Sequence, residues 1–316
     1  METERPSPRY AAIDAWLPAD ILDAMIEGQF SAVAAVRAAR GPIEQAAIAL
    51  EQRLRAGGRL IYAGSGTSGR LAAQDGAELL PTFGWPAERV IVLMAGGHEA
   101  LLKAIEGAED DTGEAVRLVR HHGIGAEDGL IAVAASGTTP FTVACLEQAK
   151  AQGALTVAIA NNARTALLDA GDHAIWLDTG PEPIAGSTRI KAGTAQRIAL
   201  GLISSLVMIR LGKVHAGLMV DVQATNAKLV RRSETILRQL TDRDAADIRA
   251  ALDRAQGQVK LALLLLHGLT PDDAAALLDR AGGHLRTALA LLAQSPAKQS
   301  DAPADPSDQA RQERKN

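Results

Sequence analysis

Five short apolar runs, at residues 60–63, 90–95, 130–135, 155–160 and 174–177, alternate with stretches of helical period. Runs of this length that are apolar on both faces suit buried strands. Strands alternating with helices give a parallel sheet covered on both sides. The connecting helices are clearest at 70–80, 99–119 and 141–152, while 161–171 has room for a short one only. An α/β chain with an open parallel sheet is therefore expected, its core built from Ala, Leu, Ile and Val. Hydrophobic residues make up 47% of the 316 positions and aromatics only 3%.

Around this centre the pattern is helical. In residues 19–56, Leu22, Met25, Ile26, Phe30, Val33 and Val36 form one apolar stripe, and Gly41-Pro42 separates two helices. Long helices are expected at about 191–211 and 221–240. Residues 242–294 change style to short amphipathic segments, a compact all-α appendage with a good cap at Thr270-Pro-Asp-Asp273. From 295 to 316 the chain is Pro, Ala, Ser, Gln and charge, and disorder is expected. The division is thus 1–57 (helices packing on the next domain), 58–240 (the sheet domain), 241–294 (the small helical domain) and 295–316 (tail).

Bulk properties exclude several classes. The net charge of −4 argues against nucleic acid as a partner, and the appendage carries Asp242, Asp244, Asp247, Asp272 and Asp273 where a phosphate-backbone reader needs basic residues. The one cysteine, Cys145, allows no intrachain disulfide and lies in an apolar helical stretch, so it reads as a core residue in a cytoplasmic protein. The opening Met-Glu-Thr-Glu-Arg-Pro is polar, unlike a signal peptide. No uninterrupted apolar run approaches the roughly 20 residues of a membrane span. A soluble protein with no membrane partner is expected.

Chemistry concentrates at two strand ends. The first run leads into Gly64-Ser-Gly-Thr-Ser-Gly-Arg70, where glycines let backbone N–H groups converge and Thr67 and Ser68 add hydroxyls at a helix start. The loop lacks the lysine of a nucleotide-binding P-loop, so a sugar phosphate fits better than ATP. A plain strand–helix turn is the alternative. Residues 134–140, Ala-Ala-Ser-Gly-Thr-Thr-Pro, repeat the chemistry after the third run. If those two strands are neighbours, both loops face one crevice. Ser68, Ser136 and Thr139 are then the best phosphate ligands. Two more polar clusters, at 186–196 and 221–228, read equally as an ordinary cap and a solvated helix face.

At this point the residues resemble a known family, the N-acetylmuramic acid 6-phosphate etherases of the sugar isomerase (SIS) domain superfamily. The resemblance runs in order from Thr3-Glu-Arg5 to about residue 295. Its specific segments are Glu106-Gly-Ala-Glu-Asp110, Gly186-Ser-Thr-Arg-Ile-Lys-Ala-Gly-Thr-Ala-Gln196 and Asp221-Val-Gln-Ala-Thr-Asn-Ala-Lys-Leu229. It implies a five-stranded parallel sheet in flavodoxin-like order with a small C-terminal helical domain. It also implies a homodimer with active sites at or near the interface, and no cofactor or metal. The implied reaction cleaves the lactyl ether of a 6-phosphorylated amino sugar. It implies Glu78 as proton donor and Glu109 as general base, with the phosphate held by Gly66, Thr67, Ser68, Ser136, Gly137 and Thr139. Arg70, Ser187 and Lys191 are further candidate contacts. Two rivals carry the same loops: a sugar-phosphate isomerase and a non-catalytic sugar-phosphate sensor.

The chain departs from the family pattern at three places. Leu79-Leu80 stands where members carry Cys-Pro, Thr138 where they carry Arg, and Ser65 where Ala is common. Distance poses a further question. Ten residues of unbroken helix separate Ser68 from Glu78 by about 15 Å, more than a 6-phosphosugar needs. Either Gly76 bends or ends the helix early, or Glu78 serves the other subunit's pocket.

Overall fold

The computed structural model describes residues 1–222 and 227–294. Its centre is a five-stranded, all-parallel sheet of β1 (Leu60–Gly64), β2 (Val90–Met94), β3 (Gly129–Ala134), β4 (Leu155–Ala160) and β5 (His173–Trp176). The spatial order is β2-β1-β3-β4-β5, the flavodoxin-like order. Alternation along the strands feeds two cores. Leu60 and Tyr62 of β1 enter one; Ile61 and Ala63 enter the other.

The first core lies under α1 (Pro18–Ala38), α2 (Arg40–Arg55), α3 (Gly66–Phe83) and α7 (Lys191–Arg210). The second lies under α4 (Thr112–His121), α5 (Pro140–Ala151) and the short α6 (Ala166–Ala170). Cys145 of α5 is fully buried in the second core, where burial pushes its thiol far above the ordinary range. Helix α7 is long and apolar enough to cross a bilayer, yet Ala195, Ala199, Leu200, Ile203 and Val207 along it are all wholly buried in the first core. That is the pattern of a central core helix.

Three expectations need correction. The stripe on α1 does not face the core: Leu22, Ile26, Phe30 and Val33 are all more than half exposed, and the buried face is Ala24, Gly28, Ala32, Ala35 and Val36. Small residues let α1 approach α7 closely, which larger ones on that face would prevent. The helix break falls at Ala39, with Gly41 and Pro42 inside the first turn of α2. The 99–119 connection is not one helix but two 3-10 turns, His98–Leu101 and Ala108–Asp110, followed by α4. Gly107 at φ +72° breaks the run, and Asp111 caps α4 by accepting from the Glu114 N–H at 2.8 Å. A small hairpin, β6 (Val214–His215) with β7 (Leu218–Met219), had no signal strong enough to read.

Contacts divide the chain into Met1–Ile236 and a second unit from Leu237 onward. Helix α8 (Ala227–Leu240) spans that division, and residues 223–226 of the polar 221–228 cluster lie outside the described ones. The second unit contains α9 (Ala245–Arg254), α10 (Val259–Leu266), α11 (Pro271–Arg280) and α12 (Leu285–Gln294) around Ile248, Leu252, Leu263, Leu264, Leu277 and Leu285. Asp244 and Thr270 cap α9 and α11, and Lys260 donates to the Gly283 carbonyl at 2.7 Å. The expected tail, 295–316, also falls outside the described residues.

Candidate functional site

β1 and β3 are hydrogen-bonded neighbours, Gly64 opposite Val133, and β2 lies on the far side of β1. The chain order therefore reverses between β1 and β3, and a crevice opens beyond their carboxyl ends. Both hydroxyl-rich loops leave the sheet there, from strands about 4.8 Å apart.

Each loop turns directly into a helix. Ser65 is the last extended residue before α3, and Gly66 takes a positive φ of +53°. A Cβ on Gly66 would lie 3.3 Å from Glu109 Oε1, so the Glu109 carboxylate sits against the first loop. The Ala108–Asp110 turn holds it there. Ser68 is 6% exposed, and the buried Ser65 Oγ beside it has no hydrogen-bond partner among the described residues. In the second loop Gly137 has φ +70°, and a Cβ there would overlap Thr165, so only glycine fits. Ser136 Oγ and Thr139 Oγ1 share a hydrogen bond of 3.2 Å, and the Thr138 N–H donates to Ser136 Oγ at 3.2 Å. α5 starts at Pro140, immediately after. Two helix N-termini with hydroxyl-bearing loops thus start from neighbouring strands, with the Glu109 carboxylate against the first of them, a geometry suited to a phosphate monoester.

Glu78 is placed elsewhere. α3 is unbroken from Gly66 to Phe83 and carries Glu78 exposed on its surface, about 15 Å of helix beyond Ser68. Gly76 neither bends nor ends it: a Cβ there would lie 3.1 Å from Val90 and 3.2 Å from Tyr62, so this glycine lets helix and sheet approach. The three further candidates also have defined surroundings. Arg70 donates to the Ala100 carbonyl at 2.9 Å and to the Lys103 carbonyl at 3.2 Å, tethering the turn after β2. Ser187 is half-buried, its N–H bonded to the Ile184 carbonyl. Lys191, 5% exposed, packs its stem beside Gly28 and Pro183, and burial pushes its ammonium below the usual lysine range against the pull of Glu182. Glu182 itself caps α7, accepting from the Lys191 and Ala192 N–H groups at 3.0 and 2.9 Å.

One turn before Glu78, Asp75 is buried behind α3. It accepts from the Tyr62 hydroxyl at 2.7 Å and from Ser204 Oγ at 3.1 Å. A second polar group escaped sequence reasoning: Asn161 and Asn162, directly after β4. Asn161 accepts from Gln196 Nε2 at 2.8 Å, and Asn162 donates to the Ala135 carbonyl at 2.9 Å. Two adjacent amides at the carboxyl end of an apolar strand were the available signal. Among the described residues no group of three or more His, Cys, Asp or Glu side chains could hold a metal ion.

Comparison with known proteins matches residues 43–150 to the glucokinase regulatory protein N-terminal SIS domain and residues 120–205 to the SIS domain. The chain is 50% identical over 274 residues to an N-acetylmuramic acid 6-phosphate etherase of Deinococcus radiodurans, covering 86% of this chain and 90% of that protein. It is 43% identical over 274 residues to the enzyme of the same name from Rubrobacter xylanophilus, covering 86% and 91%. Among solved structures, a phosphoheptose isomerase from Francisella tularensis aligns with a TM-score of 0.45 at 18% identity, covering 61% of this chain and 98% of that one.

Proposed function

The chain belongs to the N-acetylmuramic acid 6-phosphate etherases, and from that membership we propose its reaction and the residues that perform it. It is a carbon–oxygen lyase that converts N-acetylmuramic acid 6-phosphate to N-acetylglucosamine 6-phosphate and D-lactate. An alkoxide leaves an ether poorly, so elimination is the route. In the ring-opened sugar the C1 aldehyde acidifies the C2 hydrogen. A base removes it, the C3–O bond to lactate breaks as that oxygen is protonated, and water adds back at C3. The reaction calls for one ionised and one protonated carboxyl near C2 and C3.

Gly66, Thr67, Ser68, Ser136, Gly137 and Thr139 hold the phosphate in this reading, and Glu109 is the base. The observation that carries it is the Glu109 carboxylate against Gly66, on the rim of the paired loops. Glu78 is the proton donor. The uninterrupted α3 favours its delivery to a partner's pocket over its own, and hence a homodimer with the sites near the interface. The exposed Leu22, Ile26, Phe30 and Val33 give α1 an apolar face that a second copy would cover. Residues 58–240 carry the chemistry, with 1–57 packed on them and 241–294 as a separate helical domain. The setting is cytoplasmic recycling of cell-wall amino sugars.

The test is incubation of purified protein with the substrate in water carrying heavy oxygen. Release of D-lactate with the label on the C3 hydroxyl of the product is expected. Aldose–ketose interconversion without lactate would overturn the proposal in favour of an isomerase, and binding without turnover in favour of a sensor.

A further inference from the structure

Thr3 is wholly buried, although it is the third residue of the chain and chain ends ordinarily fray. Its backbone N–H donates to Asn162 Oδ1 at 3.4 Å, and its hydroxyl accepts from Asn162 Nδ2 at 2.9 Å. The same Nδ2 also donates to the carbonyl of Ala135, the residue just before Ser136. The Thr3 carbonyl accepts from the Gly186 N–H at 3.0 Å. From Gly186 the connection continues. The Thr188 N–H donates to the Gly186 carbonyl, and the Gly193 N–H donates to the Thr188 carbonyl at 2.7 Å. Gly193 faces the first loop: a Cβ there would lie 3.6 Å from Thr67 Cγ2.

One residue thus closes a bridge whose ends are the two hydroxyl-rich loops. Ala135 leads into Ser136 at one end, and Thr67 precedes Ser68 at the other. We propose that Thr3 is a positioning residue for the anion site, setting the separation of the two loops so that both close on one phosphate. This rests on the proposed function above. Its physical basis is that Asn162 has two amide hydrogens and both are committed, one to each side of the bridge. Removing the Thr3 hydroxyl leaves a buried donor without its partner, and the long Thr3 N–H contact at 3.4 Å is then all that Thr3 offers to orient the amide toward Ala135. The second loop keeps the Asn161 N–H on the Ala135 carbonyl and the Leu167 N–H on the Gly137 carbonyl, both at 3.0 Å, and is weakened only on the side that faces Thr3. The effect falls on phosphate affinity and leaves the proton transfers at Glu109 alone.

The experiment compares T3A, T3V and T3S in the full-length protein. It reads KM and kcat for lactate release, the dissociation constant of inorganic phosphate by phosphorus NMR, and Tm. T3A and T3V are expected to raise KM and the phosphate constant about tenfold, with kcat changed by less than about threefold. T3S keeps the hydroxyl and is expected to restore both to within about twofold. T3V retains the volume and backbone contacts should T3A not fold. The inference is overturned if T3A or T3V lowers Tm yet leaves KM and the phosphate constant at parent values, or if T3S behaves like T3A. A parent protein that binds phosphate but releases no lactate would instead remove the proposed function, and the phosphate constants would still judge Thr3.

Discussion

Tyr62 donates its phenolic hydrogen to Asp75 Oδ2 across 2.7 Å, and both groups are buried between β1 and α3. Burial, only partly offset by Tyr62, Ser204 and the nearby Arg197, pushes the Asp75 carboxyl above its ordinary 3.8, and the charge of Glu78 adds to the rise. Its folded pKa thus exceeds its unfolded one. Asp75 therefore contributes stability below pH 3.8 that is lost as pH rises through the folded value. Asp75→Asn does not titrate, so its stability should gain on the parent as pH rises from about 4 toward neutrality. Urea unfolding at several pH values checks this. Tyr62→Phe leaves the carboxylate with one donor fewer and should cost about 2 kcal/mol at neutral pH.

Arg59 and Asp128 make the opposite prediction. Burial pushes the Asp128 carboxyl up, but Arg59, through Nε at 3.0 Å and a second nitrogen at 2.7 Å, and the N–H groups of Gly125 and Arg59 outweigh it and hold it below 3.8. This stabilisation is present above pH 3.8 and should be lost as pH falls through the depressed value. Arg59→Met should cost about 2–3 kcal/mol at neutral pH, since the pair is only partly buried. That variant should also have a flatter acid limb in its stability profile, measured by urea unfolding between about pH 3 and pH 6.

Glu109→Gln should lower the rate of lactate release about a thousandfold while leaving the affinity for inorganic phosphate close to that of the parent. Steady-state kinetics and phosphorus NMR separate the two effects. A parallel loss of phosphate binding would show that this carboxylate supports the loop itself.

Mixed dimers decide where Glu78 works. Each subunit of a dimer pairing a Ser68→Ala chain with a Glu78→Gln chain lacks one part. If α3 delivers Glu78 across the interface, one pocket has both parts intact, and about half the parental activity per dimer should return. Activity no greater than that of either homodimer would place both groups in one subunit.

The outward face of α1 predicts self-association. Phe30→Asp, at a side chain 70% exposed in the single chain, should convert a dimer to a monomer in sedimentation while leaving the fold intact. If the shared-pocket geometry holds, that monomer should also lose lactate release.

The sheet was legible because its five strands are apolar on both faces, and little else has that pattern. β1 and β3 read within one residue of their observed starts, and both loops could be identified from their hydroxyls and glycines alone. The α1 stripe misled for a physical reason. Periodicity reports that one face is apolar, not what covers it, and here alanines face the chain's own core. Glu109 could not be selected from composition, because its position depends on a turn held by Gly107 and Asp111. Thr3 and Asn162 were still less legible. They lie 159 residues apart, and no local pattern reports a contact of that range.

The solitary thiol of Cys145 lies in the inner core with its ionisation suppressed, so alkylating reagents should find nothing to modify in the native molecule. A cysteine introduced at any exposed position would then be the one handle for a fluorophore or spin label. The distances between loops and between copies could be measured without first stripping the chain of reactive sulfur.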